Sequence, residues 1–238
     1  MAADLDLVVR AHRAVVEGAE TSVSVGVSGG RIAALAPYDD PPEAARTVTL
    51  DDDEVLLPGL VDTHVHVNEP GRTEWEGFDS ATRAAAAGGV TTIVDMPLNS
   101  IPPTVTVDAL RTKQDAARGR VHVDVGFWGG AVPTHLRDLA ALHESGVFGF
   151  KCFLVDSGVA EFPHLSAAGL EAAMTETERL GALLLVHAED GRLIDDVPTE
   201  GPSYDGFLAS RPPESEDSAI HLVIDAARRT RADRKSVV

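Results

Sequence analysis

The sequence predicts an α/β protein: a series of βα units around a parallel sheet, preceded by a small β-rich unit. Three observations carry that prediction. As far as Leu57 the pattern is one of short apolar runs interrupted by Gly, Asp and Pro. Past Pro58-Gly59, strand-like and helix-like segments alternate at intervals of roughly thirty residues. And a chain of 238 residues, 44% hydrophobic and 24% charged, has the composition of a folded protein with room for one large or two modest domains.

In the opening unit the apolar runs Leu5–Arg10, Thr21–Val27, Arg31–Leu35 and Val48–Leu50 read as strands. The parallel set is predicted at Leu60–Val67, Val90–Met96, Val121–Trp128, Gly149–Leu154 and Leu183–His187. Helices are expected over Ser80–Ala87, Val107–Ala117, Thr134–Ser145, Ser166–Leu180 and Ser215–Thr230. Several open on a Ser or Thr able to cap the first turn with acidic residues close behind, as in Ser215-Glu-Asp. The division implied is residues 1–57 and 58–230. About five βα units are visible, whereas a closed barrel needs eight strands and about 250 residues, so either the sheet is open or the chain is incomplete. Residues 231–238 are expected to be a non-native tail, with Asp233–Val238 foreign to the gene as a hypothesis.

A net charge of −18 argues against nucleic acid or an anionic membrane as partner, because either would repel the chain. The plainer meaning of that charge is a well-solvated acidic surface. The single cysteine, Cys152, excludes an internal disulfide and fits a reducing compartment. The N-terminus lacks a basic segment followed by an apolar one, and no run approaches the roughly 18 apolar residues of a membrane span. A cytoplasmic protein is expected.

The chemistry begins at Pro58-Gly-Leu-Val-Asp-Thr-His64-Val-His66, at the C-terminal end of the first parallel strand. Residues two apart in a strand share a side, so His64 and His66 can offer imidazole nitrogens to one site; two histidines alone also describe an ordinary polar strand end. In Gly149-Phe-Lys151-Cys-Phe-Leu154 a lysine sits inside an apolar strand, where an unpaired ammonium is costly. The chain has three lysines, Lys113, Lys151 and Lys235, against seventeen arginines, so a lysine kept in a core strand suggests a task arginine cannot perform. One such task needs a neutral amine that takes up carbon dioxide to become a metal-bridging carbamate. A third histidine, His187 in Leu183-Leu-Leu-Val-His-Ala-Glu189, again sits at a C-terminal strand edge, where reaction sites of α/β barrels gather. Three histidines and a lysine from three strands read together as a metal cluster.

In order and approximate spacing, His64-Val-His66, Lys151 and His187 resemble the amidohydrolase superfamily. Glu69–Phe78, Met96–Thr104, the Gly149–Phe153 run and Ala209–Pro212 narrow the likeness to cyclic amidohydrolases of the allantoinase family, over about Leu5 to Thr230. The resemblance implies a (β/α)8 barrel of the TIM type preceded by part of a small β-sandwich. It implies two divalent metal ions, zinc first and iron, cobalt or manganese as alternatives, with His64 and His66 on one, His187 on the other and carboxylated Lys151 bridging both. It further implies hydrolysis of the cyclic amide of allantoin to allantoate by a water the metals acidify, and a homo-oligomeric, tetrameric parent. Asn99 is assigned a substrate contact, with a turn residue before Pro102-Pro103 as the equal alternative. A dihydroorotase would be expected to carry arginine where this chain has Asn68, and a hydantoinase or dihydropyrimidinase to lack the Met96–Asn99 run. A non-catalytic assembly relative would be expected to have lost metal ligands. The family's further metal-binding histidine and its proton-handling aspartate have no counterpart here, so no catalytic residue is assigned and this polypeptide alone is expected to show little or no turnover.

His12, His122, His135, His143 and His221 lie away from the converging edge and read as structural, and His164 lies nearer the mouth. Cys152 is expected to face away from Lys151 as a buried apolar group. Trp75 and Phe78 are placed in a loop over the mouth, as pocket wall or loop anchors.

Overall fold

The computed structural model describes residues 4–194 and 203–232, so Asp233–Val238 of the expected tail lie outside the described residues. The chain divides into two compact units, Met1–Gly59 and Leu60–Val238.

The first unit is one four-stranded sheet of β1 (Leu7–Val16), β2 (Ala19–Ser28), β3 (Arg31–Pro37) and β4 (Thr47–Thr49), in the order β3-β2-β1-β4. β1 and β2 turn through Glu17 and Gly18, both at positive φ (50° and 81°), the backbone that a tight two-residue hairpin requires. β1 runs six residues beyond its predicted end at Arg10 because its register shifts between Ala11 and Ala14. That bulge puts Val8, Ala11 and Ala14 at buried positions three apart and breaks the alternation by which a strand is recognised.

The second unit holds the parallel strands. β5 (Leu60–Val65), β6 (Val90–Asp95) and β7 (Asp124–Phe127) form one three-stranded sheet. β8 (Gly129–Gly130), β9 (Gly149–Phe153) and β10 (Leu183–His187) form another. The stretch predicted as one strand, Val121–Trp128, is therefore shorter and is followed by a separate two-residue strand. Its first residues turn elsewhere: the His122 amide donates to Thr82 Oγ1 at 3.1 Å and its ring meets Asp79 at 2.9 Å. Trp128 sits at the seam between the sheets, its amide donating to Asp95 O at 2.9 Å. β9 and β10 pair in register, Lys151 opposite Leu185 and Phe153 opposite His187.

The helices are α1 (Phe78–Ala87), α2 (Val107–Ala117), α3 (Leu139–Glu144, after a 3-10 turn at Leu136–Asp138), α4 (Ala167–Leu180), α5 (Tyr204–Ala209) and α6 (Pro213–Thr230). One expected cap is present, Ser166 accepting from Gly169 N at 3.2 Å, and Thr106, ahead of the predicted start of its helix, caps α2 by accepting from Ala109 N at 3.2 Å. Ser215 does not cap α6, which begins earlier at Pro213, where proline's fixed φ suits a first turn. α5 was not expected. Phe78 departs from its expected place: it is fully buried at the start of α1, packed with Val67 and Ile93 rather than over the mouth.

Strand alternation sorts the core. Phe150 and Cys152 of β9, with Leu184 and Val186 of β10, pack against α3, α4 and α6. Phe153, Leu183 and Leu185 point the other way, into a cluster with Val94, Met96, Trp128 and Phe162. Among the described residues no helix is long and apolar enough to cross a membrane.

Candidate metal centre

His64 stands in the last turn of pleat of β5 and His66 just beyond it. The β5–β6 register shifts between Asp62 and Val65, so three residues of β5 answer two of β6 and the bulge re-aims the histidines. Three contacts hold it: Trp128 Nε1 donates to Thr63 O at 2.8 Å, Met96 N to Val65 O at 2.8 Å, and Val67 N to Asp95 Oδ1 at 2.7 Å. The two imidazole rings lie 5.4 Å apart, inclined at 48°. Burial and then the neighbouring charges of His64 and Lys151 lower His66 to about 4, and burial with Lys151 lowers His64. His66 is therefore neutral at pH 7, and its Nδ1 is buried with no hydrogen-bond partner among the described residues.

Lys151 is 4% exposed, and its Nζ stands 5.0 Å from the centre of the Phe153 ring. No carboxylate pairs with it among the described residues, and burial lowers its pKa. His187 stacks on the same ring, its centroid 4.8 Å from that of Phe153 at 19°, while its Nε2 meets Glu189 Oε2 at 2.7 Å. Arg211 stands 4.0 Å from the second oxygen of Glu189. His64, His66, Lys151 and His187, all singled out by sequence, thus gather on the inner, C-terminal side of the strands.

Among the described residues no three His, Cys, Asp or Glu side chains gather at metal-binding distance. The charge of Lys151 acts on both His64 and His66. As an ammonium it repels them; as a carbamate it would present two anionic oxygens. A buried amine of lowered pKa, neutral imidazoles and an unpartnered buried Nδ1 form a donor set that fits divalent metals.

Asn99 has φ 74°, the left-handed backbone of its alternative reading as a turn residue, and its carbonyl accepts from Arg72 Nη1 at 2.8 Å. The same guanidinium pairs with Glu161 at 2.6 Å and covers the ring of Trp75 at 5.2 Å, so Arg72 ties together the loops after β5, β6 and β9. Sequence reasoning passed over it, as it did Glu69, which is 5% exposed, accepts from Phe78 N at 3.0 Å and pairs with Arg120 at 2.5 Å. Asn68 is buried, its Oδ1 without a partner among the described residues. His164 lies on a cavity of about 690 Å³ with Asp156, Asp190 and Arg192, which none of the four clustered residues lines. Cys152 is wholly buried on the opposite face from Lys151, and burial pushes its thiol up to about 12.

Three comparisons bear on this arrangement. The chain is 54% identical over 231 residues to the allantoinase of Streptomyces avermitilis, a match covering 96% of this chain and 52% of that protein. To the allantoinase of Saccharomyces cerevisiae it is 50% identical over 176 residues, 73% of this chain and 38% of the relative. It spans about half the length of the curated relatives it matches. Among solved structures, the L-hydantoinase (dihydropyrimidinase) of Arthrobacter aurescens superposes with a TM-score of 0.88 at 30% identity, covering 95% of this chain and 51% of that one. Residues 55–198 match the model of the amidohydrolase family, more than half of the chain and the stretch that carries all four clustered residues; the chain belongs to the amidohydrolase family.

Proposed function

We propose that the whole protein is a metal-dependent cyclic amidohydrolase that opens the ring amide of allantoin to give allantoate, with His64, His66, Lys151 and His187 as metal ligands. The observation that carries this reading is the proximity of those four side chains, which come from β5 and its end and from β9 and β10, two neighbouring parallel sheets. The names of the relatives support the substrate, since those matched at high identity are allantoinases.

Two divalent cations, zinc by the character of these ligands, would supply Lewis acidity: an acidified water and a polarised ring carbonyl. The chain's own residues prepare for that. His64 and His66 are held neutral, ready to bind without first losing a proton. Burial of Lys151 favours the neutral amine that captures carbon dioxide. Glu189 fixes the ring of His187 through Nε2, the kind of outer contact that orients a ligand. Asn99, anchored by Arg72 at the mouth, is proposed as the substrate contact.

A hydantoin or dihydropyrimidine substrate is the second reading, favoured by the solved neighbours' names, against which the Met96–Asn99 run speaks, as Asn68 does against a dihydroorotase. A non-catalytic assembly role is disfavoured by retention of four ligands. A cytoplasmic, homo-oligomeric parent belongs to the same proposal.

The test takes two forms. The chain is mixed with zinc and ¹³C-bicarbonate and examined by ¹³C NMR: a carbamate resonance absent from Lys151→Ala is expected, and its absence from the unsubstituted chain sinks the ligand assignment. The full-length gene product is then assayed on allantoin, hydantoin and dihydrouracil. Preference for either of the last two overturns the allantoinase reading.

A further inference from the structure

Lys113 is one of three lysines in the chain and lies on α2, outside every motif so far used, yet it is fully buried beside an equally buried Asp95 at the end of β6. Its Nζ donates to Asp95 Oδ2 at 2.7 Å and to the carbonyl of Met96 at 2.9 Å. The other carboxylate oxygen accepts from the amide of Val67 at 2.7 Å. Val67 directly follows His66.

A buried ion pair is a poor device for stability, because the desolvation of two charges offsets most of their attraction and an apolar pair of like volume fills the space as well. What this pair does that an apolar pair would not is reach two backbone groups on neighbouring strand ends. Lysine spends one hydrogen on Met96 O, just after β6, and one on the carboxylate, which leaves Oδ1 turned toward β5. Past Val65 the ladder between β5 and β6 has ended, so the Val67 amide has no strand partner and Asp95 takes it up. We infer that Asp95, oriented by Lys113, is a positioning residue that fixes the His64-Val65-His66 segment through the amide of Val67. The inference rests on the metal reading only for its consequence; the placement of His66 is testable without metal.

The test uses two double variants of the 238-residue chain in which both charges are gone. Asp95→Asn with Lys113→Met keeps an oxygen able to accept from Val67, and Asp95→Leu with Lys113→Met has the same number and branching of side-chain heavy atoms and no acceptor. Far-UV circular dichroism and melting confirm folding. In metal-free protein, carbethoxylation of each histidine by diethylpyrocarbonate is followed by mass spectrometry. The expected result is a His66 rate changed less than about twofold in the asparagine variant and raised at least about fivefold in the leucine variant, with His187 unchanged in both. A Co(II) titration is expected to show affinity about 10–100-fold weaker in the leucine variant alone. If the leucine variant does not fold, Asp95→Ser with Lys113→Met takes its place, its hydroxyl being too short to span to Val67. Equal His66 rates in the acceptor-bearing and acceptor-less variants overturn the inference. If the unsubstituted chain takes up no Co(II), the metal reading fails and the His66 rates still decide the role of Asp95.

Discussion

Gly149→Ala puts under direct test the close approach of β9 to β10, the strands that carry Lys151 and His187. A Cβ added at Gly149 would lie 2.5 Å from the carbonyl oxygen of Leu183 and 2.8 Å from Trp128 Cζ3. Carbon and oxygen across a sheet ordinarily approach to about 3.3 Å, so roughly 0.8 Å must be found against a backbone atom, and only by parting β9 from β10. Overpacking of this kind costs about 1–3 kcal/mol, and a weakened ladder bond adds about 1 kcal/mol. Taking about 3 kcal/mol for the whole, and about 2–4 °C per kcal/mol for a chain of this size, the melting temperature should fall by roughly 6–12 °C. Two controls separate this from a general intolerance of alanine. Gly88→Ala meets nothing nearer than 3.5 Å and is expected to melt within about 2 °C of the parent. Gly130→Ala meets side chains, Phe162 at 2.5 Å and Val105 at 2.8 Å, so adding Phe162→Leu should recover part of its loss, whereas no side-chain trimming relieves Leu183 O. The assay is thermal unfolding by circular dichroism at one pH and protein concentration. A Gly149→Ala melting point within 1 °C of the parent would refute the reasoning.

Other expectations follow from single contacts. Because Cys152 is buried and its thiol pushed up to about 12, Ellman's reagent should label it only as the chain unfolds; rapid labelling of the native protein at pH 8 would contradict its placement. Asp190 is held well below the usual carboxylate range by Arg192, with Ser218 assisting. A depressed folded pKa contributes stability above the unfolded value of about 3.9 that is lost as pH falls through the folded one, so the urea midpoint of the parent should exceed that of Asp190→Asn at pH 7 and the gap should close below about pH 4. A gap that persists unchanged down to pH 3 would count against it. Arg72→Met should raise amide exchange together in residues 97–101 and 159–162 at a cost of no more than about 1 kcal/mol, since the Arg72–Glu161 pair is partly solvated; exchange altered in one segment only would deny Arg72 its bridging role. Thr106→Ala removes the cap of α2 and should cost about 1 kcal/mol in urea unfolding, with no loss expected if the Ala109 amide is already satisfied by water.

The four clustered residues were legible because strand alternation is local: His64 and His66 two apart, Lys151 in an apolar run and His187 at a strand end each declare a face from a few neighbours. The inner contacts were not, because they are made between distant segments. Lys113 reaches Asp95 across 18 residues, and nothing in the periodicity of α2 distinguishes a lysine turned inward from one in solvent. Phe78 looked like a loop residue because the acceptor that starts α1 at its amide is Glu69, nine residues back, rather than a local Ser or Thr. Ser215 looked like a cap because the proline that begins α6 stands two residues earlier. The bulge between Asp62 and Val65 left no mark, since it shifts the pairing of β5 without disturbing its apolar content.

The in-register pairing of β9 with β10 makes side-chain length a selective property. Lys151 lies opposite Leu185, two residues below the level of His187. At about 3.3 Å of rise per residue, that is about 6.6 Å of depth between their backbones. A side chain rooted so far down must climb to reach the level of His187, and lysine's four-carbon stem makes the climb, as its passage over Phe153, the residue opposite His187, records. Aspartate or glutamate would bring a permanent negative charge to position 151 and stop short of the level where it is needed. The strand thus behaves as a ruler: under the proposed function, a carboxylate built on Lys151 from carbon dioxide would have the reach that this depth demands.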